Sequence, residues 1–293
     1  MSKIKNAEIK YYGVRGSIPT PGEKFKEYGG NTTCLFIELE DDIIIIDAGT
    51  GIRVLGLDLL KREFGTKEGG TAHIFFSHTH WDHIQGFPFF IPAYLPQNTF
   101  HVYGETKEIK GLDAKDKEVL ETWTIERTIR TQQTFMFFPA STQNMGSKLI
   151  FNELNFNSEK KINNFSVKTI RLRHPNNSMG FLFNFAGEKF CFCTDVEHND
   201  EMITELSKFA KGCKVLAYDC QYTPEEYVDG KIGWGHSTFE AAAEICEKGG
   251  IENLHMIHHD PMHDDQFIKK LEKRAQQRFK NTLAVKEGFN FFI

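Results

Sequence analysis

Between Ser77 and His83 the chain reads Ser77-His78-Thr79-His80-Trp81-Asp82-His83, which places three imidazoles and a carboxylate within six residues. Imidazole nitrogens and carboxylate oxygens suit zinc and its first-row neighbours, and donors at this density point to metal binding. His78 and His80 lie two apart and face the same way from an extended segment. Asp82 and the adjacent His83 diverge from that pair. The spacing therefore divides the motif between two ions, each still short of protein ligands.

Other segments offer the missing donors at the ends of alternating, strand-like runs. Residues 167–173 run into His174, followed by the turn residues Pro175, Asn176 and Asn177. Residues 189–193 end at Thr194-Asp195, and residues 253–257 end at His258-His259-Asp260-Pro261. The apolar stretch His73-Ile74-Phe75-Phe76 delivers the first motif in the same way. Nearer the N-terminus, residues 8–12 form a strand entering the loop Gly13-Val14-Arg15-Gly16-Ser17-Ile18-Pro19. Residues 33–39 and 43–46 are further strands, and the second ends at Asp47-Ala48-Gly49-Thr50-Gly51. Helical spacing of apolar residues follows from 52 to 64.

With the HTHWDH motif, the His174 loop, Asp195 and the terminal His258-His259-Asp260, the chain resembles the metallo-β-lactamase superfamily over almost its whole length. The resemblance implies an α/β fold, the four-layered αββα sandwich. It assigns His78, His80 and His174 to one metal and Asp82, His83 and His258 to the other, with Asp195 bridging. His259 shares the last strand end, but the family's ligand follows the strand directly, which favours His258 after Ile257. Two divalent ions are implied, zinc first, with manganese and iron also accepting such ligands. Asp47 resembles a turn under the metal site, as a group orienting a ligand or as a structural turn carboxylate.

The stretch Trp234-Gly235-His236-Ser237-Thr238-Phe239-Glu240 discriminates among branches of the family. Ser237 or Thr238 caps a helix through 241–246 that ends near Gly249-Gly250, leaving His236 outside its N-terminus. This element resembles ribonuclease Z and its phosphodiesterase relatives, where the histidine pairs with an acid from a preceding strand end. Asp219 falls in that place here, where the relatives have Glu. The resemblance implies that His236, oriented by Asp219, protonates a departing sugar alkoxide, a contribution of about 10²–10⁴ in rate. Asp82 would orient the attacking water or take its proton. Arg15 and the Asn31 loop resemble elements lining the substrate cleft, and a guanidinium matches a phosphate bidentately; an exposed structural arginine is the alternative. Trp234 is a candidate substrate contact. Among Trp81, Phe87, Phe89, Phe90 and Trp234, one or two are candidates to stack a nucleobase, the rest being packing.

Charge decides between small and large substrates. Over 293 residues, 35 Lys and Arg face 40 Asp and Glu, a net charge of −5. Ribonuclease Z enzymes usually grip transfer RNA with a basic arm, often rich in glycine and proline. Here residues 105–130 carry six basic and seven acidic side chains, and no proline occurs between Pro96 and Pro139. Affinity for a long polyanion rests on Lys and Arg contacts. A small phosphodiester such as a cyclic nucleotide is thus the expected substrate. The alternatives are a ribonuclease Z-type endonuclease, a thioester or lactone hydrolase, and a metal-stabilised binding protein without turnover.

One domain spanning 1–293 is expected, with an insertion around 100–150 as a lid, a homodimer contact or a plain extension of the core. Within it, residues 115–130 read as a helix with Val119, Leu120, Trp123 and Ile129 as apolar contacts, followed by Phe135-Met136-Phe137-Phe138. Residues 264–279 read as an amphipathic helix with Phe267, Ile268 and Leu271 inward. His73, His101, His198, His255 and His263 have no partner pattern and are assigned to surface or core. No apolar run of about 18 residues predicts a membrane span, Met1 to Asn6 lack a secretory core, and six cysteines without a C-x-x-C pair suit a reducing cytoplasm.

Overall fold

Four consecutive isoleucines, Ile43 to Ile46, show how the layers form. Side chains alternate along a strand, so Ile44 and Ile46 enter a central apolar layer while Ile43 and Ile45 enter an outer one beneath helices. A run buried on both faces marks an interior strand of a covered sheet. The computed structural model describes residues 6–112 and 117–293. Met1 to Lys5 and the Lys115 start of the expected insertion helix lie outside the described residues.

The first sheet contains β1 (Glu8–Gly13), β2 (Cys34–Leu39), β3 (Asp42–Ile46), β4 (Thr71–Phe75), β5 (Thr99–Gly104), β8 (Lys148–Glu153) and β16 (Asn290–Phe292), in the order β16-β1-β2-β3-β4-β5-β8. The second contains β9 (Glu159–Ile162), β10 (Phe165–Leu172), β11 (Ser178–Phe185), β12 (Glu188–Cys193), β13 (Val215–Asp219), β14 (Asn253–Ile257) and β15 (Thr282–Ala284), in the order β15-β14-β13-β12-β11-β10-β9. Both sheets are mixed. From β3 to β8, and from β12 to β15, neighbouring strands are parallel. Their carboxyl ends, where open sheets bind ligands, therefore lie together at one edge.

Between the sheets pack Ile9, Ile37, Ile46 and Phe75 from one side and Phe181, Phe183, Phe192 and Ala217 from the other. The helix Gly51–Leu59 covers the first sheet through Ile52, Leu55 and Leu59. The helices Asp200–Phe209, Phe239–Gly249 and Asp265–Arg278 cover the second. The result is the αββα sandwich. On β12 the same alternation sends Phe190 and Phe192 inward and Cys191 and Cys193 outward, their thiols hydrogen-bonded at 3.6 Å and not joined in a disulfide. Among the described residues no helix is long and apolar enough to cross a membrane.

The insertion departs from expectation. In place of a helix over 115–130, β6 (Lys107–Leu112) and β7 (Glu118–Trp123) form an antiparallel hairpin, and the helix spans Ile125–Gln132 alone. Val119, Leu120 and Trp123 look helical by spacing, but β-branched and aromatic residues in an alternating pattern pair across strands as readily. Thr124 then caps the short helix by accepting from Arg127 N at 3.0 Å. Phe267 also differs: Ile268 and Leu271 are buried, whereas Phe267 sits at the rim, stacked on His263.

His73, His255 and His263 are buried, and His101 and His198 half-buried, in structural contacts. Burial holds the His255 imidazole down at about 3, with one ring nitrogen 2.9 Å from the Tyr11 hydroxyl. An unfolded histidine titrates near about 6.5. The unfolded state thus takes up a proton that the folded state refuses, so this contribution to stability is complete above that pH and is lost as pH falls toward 3. His255→Gln, which keeps a hydrogen-bonding side chain but cannot titrate, should remove roughly 1–2 kcal/mol of the stability difference between pH 7 and pH 5. Urea unfolding of both proteins at the two pH values checks this, since acid effects on the rest of the fold cancel.

Candidate metal centre

Apart from His236, which precedes a helix, the site residues sit where strands stop. The HTHWDH motif follows β4, His174 follows β10, Asp195 follows β12, Asp219 ends β13 and His258 follows β14. Asp47, Asp195 and His258 have φ of 60°, 54° and 60°, a left-handed backbone that is uncommon for residues with a side chain and clusters at functional sites. There the chain turns out of the sheet at once, leaving each side chain over the strand ends.

Two groups of donors converge. In the first, His80 Nδ1 lies 3.0 Å from His78 Nε2 and 3.1 Å from His174 Nε2. In the second, His83 Nε2 lies 3.2 Å from Asp82 Oδ2 and 3.1 Å from Asp195 Oδ2, and His258 Nε2 lies 3.2 and 3.3 Å from the same two oxygens. Asp195 joins the groups, because its Oδ1 is 3.7 Å from His78 Nε2 and 3.8 Å from His174 Nε2. Nitrogen and oxygen donors about 2.0–2.2 Å from a tetrahedral ion stand roughly 3.4 Å apart. The observed spacings match that shell, and His83 Nε2 is buried with no hydrogen-bond partner. The residues therefore fit two divalent ions.

Electrostatics agrees with this. Burial drives His78 well below the ordinary histidine range, and takes His80 to about 4 and His174 downward, so all three are neutral with lone pairs to donate. In the second group burial is outweighed by charge: the surrounding carboxylates raise His83 and lift His258 to about 9, while the imidazoles hold Asp82 and Asp195 low. Two carboxylates thus create a strongly negative pocket for a cation.

Outer contacts fix the rings, as at metal centres generally. His83 Nδ1 lies 2.8 Å from Asp47 Oδ2, and Asp47 also accepts from Ser77 N and Ser77 Oγ, each at 2.7 Å. Asp47 thus orients one donor and the motif's first turn. His174 Nδ1 bonds the Gly235 carbonyl at 2.8 Å, and His258 Nδ1 bonds Gln221 Oε1 at 2.9 Å. Ser17 N donates to Asp82 Oδ2 at 2.8 Å. Glu197 accepts from Gly233 N, Gly235 N and the Tyr227 hydroxyl, holding the loop before His236. Sequence reasoning missed Gln221, Glu197 and Ser17, whose residue types carry no ligand signal; only their closeness to strand ends and motif loops hinted at them. His259 is excluded as a donor: its Nε2 bonds the Val285 carbonyl at 2.9 Å and its ring packs on Tyr28.

His236 Nδ1 bonds Asp219 Oδ2 at 2.8 Å, compared with 4.0 Å to Asp195 Oδ1. Its ring stacks on His258 and meets His174 edge-on, with centroids 5.0 and 5.2 Å apart. Thr238, rather than Ser237, caps the following helix; Ser237 Oγ instead bonds His198. Gly235, with φ of 87°, passes so close that an added Cβ would lie 2.3 Å from His174 Nδ1.

Arg15 does not line the cleft. It is fully buried, and its guanidinium donates to the carbonyls of Gly29, Asp260 and His263 at 2.8, 3.2 and 2.7 Å and lies 3.8 Å from Asp265. Through Nε and one terminal nitrogen it ties the 13–17 loop to the loop after His258, while its other terminal nitrogen is buried without a hydrogen-bond partner, facing Asp265. Arg15→Met should cost about 3–5 kcal/mol of stability, as loss of one partner from a buried charge pair does, with KM for substrate changed less than about threefold; chemical denaturation and steady-state kinetics check both. Trp234, Trp81 and Phe89 are more than half exposed, whereas Phe87 and Phe90 are core residues and cannot stack a substrate.

Fold and site together define a hydrolase of the metallo-β-lactamase fold. The profile of the β-lactamase superfamily domain matches residues 43–259, and the chain belongs to that superfamily. It is 24% identical to ribonuclease Z of Bacteroides fragilis over 337 aligned residues, covering 97% of this chain and 98% of that protein. The metallo-β-lactamase fold protein YhfI of Bacillus subtilis superposes with a TM-score of 0.69 at 16% identity, over 98% of this chain and 99% of that one. A diphosphatase of the PhnP family superposes at 0.65 with 14% identity, over 99% and 98%.

Proposed function

We propose that this protein is a dinuclear metal-dependent phosphodiesterase acting on a small phosphodiester such as a cyclic nucleotide, within the cytoplasm. The observation that carries this reading is the His236–Asp219 pair at 2.8 Å beside the donor groups. His78, His80 and His174 would hold one ion and Asp82, His83 and His258 the other, with Asp195 placed between the two groups; zinc would suit this set, as would manganese and iron. When bound, such ions polarise a phosphoryl oxygen and make water acidic enough to serve as a nucleophile. Asp82 receives the proton of the attacking water. His236, held through Nδ1 by Asp219, presents its other nitrogen to the leaving oxygen and protonates it. Six buried, unpaired cysteines support a reducing compartment.

A ribonuclease Z-type activity is the second reading, favoured by the name of the Bacteroides fragilis relative. The net charge of −5 weighs against a long polyanion. Zinc- or manganese-loaded protein should hydrolyse 2′,3′- or 3′,5′-cyclic nucleotides and leave structured RNA uncut. Cleavage of precursor transfer RNA, with steeply salt-dependent binding, would replace the first reading by the second. Turnover of thioesters or lactones with no phosphodiester cleaved would overturn both.

A further inference from the structure

A cavity of about 330 Å³ opens beside the first donor group, with His78 and His80 on its wall. That volume falls within the range of ligand pockets, about 300–1,000 Å³. Ile84, Ile109, Trp123 and Ile125 line it, together with Trp81 and Phe137, which are both more than half exposed. Four of these six come from the insertion around the hairpin and the helix after it. Lys107 fastens the hairpin by donating to the Asn176 carbonyl at 2.5 Å, in the turn that follows His174. The insertion is thereby built into the surroundings of the metal centre.

Much of the polar lining is already engaged. Thr128 and Thr131 donate to the Thr124 and Arg127 carbonyls at 3.1 and 2.8 Å, within their own helix. Lys107 lies 3.5 Å from Glu105, and Gln132 Nε2 donates to the Ile84 carbonyl at 2.7 Å. What the wall offers an occupant is therefore mainly apolar and aromatic surface. A charged or hydroxyl-rich group would lose water there without gaining partners, whereas a flat ring loses little and packs on the indoles.

Placement relative to His236 says which part of a substrate enters. His236 meets His174 and His258, with ring centroids 5.2 and 5.0 Å apart, and none of these three lines the cavity. The leaving oxygen, protonated by His236, departs on that flank. The group that stays on phosphorus is the one that can pass His78 and His80. We propose that the cavity seats this retained ester group and selects a flat apolar ring there, which makes the insertion the specificity element. The proposal rests on the phosphodiesterase reading and on His236 as the acid. A nucleobase on a retained sugar is one such ring, and a simple aryl group is another.

The test holds the leaving group constant and varies the retained one. Methyl trifluoroethyl phosphate and benzyl trifluoroethyl phosphate both release trifluoroethanol, which fluorine NMR follows with zinc- or manganese-loaded protein. The benzyl ester should be favoured about tenfold or more in kcat/KM, and benzylphosphonate should bind about tenfold or more tighter than methylphosphonate in calorimetric titration. Both ratios should fall toward one in Trp123→Ala, and the wild-type comparison does not depend on that variant folding. Given a benzyl preference, adenosine 5′-trifluoroethyl phosphate separates the two sources: faster turnover than the benzyl ester assigns the ring to a nucleobase, slower turnover to a simple aryl group. Equal binding of the two phosphonates, or no binding of either, overturns the proposal. If benzylphosphonate is preferred but no diester is cleaved, the ring seat holds and the phosphodiesterase reading fails. If both diesters are cleaved equally well and the phosphonates bind equally, the reading holds and the ring seat fails.

Discussion

Replacing His236 by alanine should lower kcat for a cyclic nucleotide by about 10²–10⁴, yet leave hydrolysis of bis(p-nitrophenyl) phosphate within about tenfold of wild type. The difference lies in the leaving group. A sugar alkoxide departs as a strong base and needs a proton in the transition state, whereas p-nitrophenolate carries its own charge. His236 is placed for that transfer, with Nδ1 committed to Asp219 and its ring against His174 and His258. Asp219→Asn should give a smaller loss with the same dependence on leaving group. Parallel kinetics on the two substrates distinguishes an acid from a structural residue, because a damaged fold would depress both. An equal loss on both substrates would remove His236 from the role of acid.

Asp195→Ala should be the most damaging change to the metal centre. Its two oxygens face different donor groups, Oδ1 toward His78 and His174 and Oδ2 toward His83 and His258. No other side chain in the site serves both groups. Loss of an outer contact alone costs about 10–100-fold in metal affinity, so loss of this ligand should exceed about 100-fold. Bound metal stabilises a fold in proportion to the logarithm of its affinity, and a 100-fold loss corresponds to about 2.7 kcal/mol. After dialysis, elemental analysis should find at most one ion per chain where wild type holds two, and the melting temperature should no longer rise with added zinc. Full retention of two ions would contradict a bridging role.

The donors were legible in the sequence because they end strands whose alternation is plain, and because each strand end can supply one or two side chains to a shared edge. His78, His80, His83, His174 and His258 converge for that reason. Arg15 misled because a guanidinium suits phosphate and buried carbonyls equally, and a loop sequence does not show which face is covered. Phe87 and Phe90 are packing residues, as expected for most of that aromatic group. The insertion was misread where Val119 and Trp123 satisfied both periods; hairpin pairing with β6 is a tertiary fact that no local pattern reports. Gln221 and Glu197 were invisible since an amide and a carboxylate near a motif are common, and only the fold brings Gln221 to His258 and Glu197 to the Gly235 amide.

The most direct test is titration of zinc or manganese into metal-stripped protein while hydrolysis of a 3′,5′-cyclic nucleotide is followed. Activity should be absent at the start, rise with added metal and level off at two equivalents per chain. A plateau of bound metal reached with the phosphodiester intact, or activity complete at a single equivalent, would contradict a dinuclear phosphodiesterase.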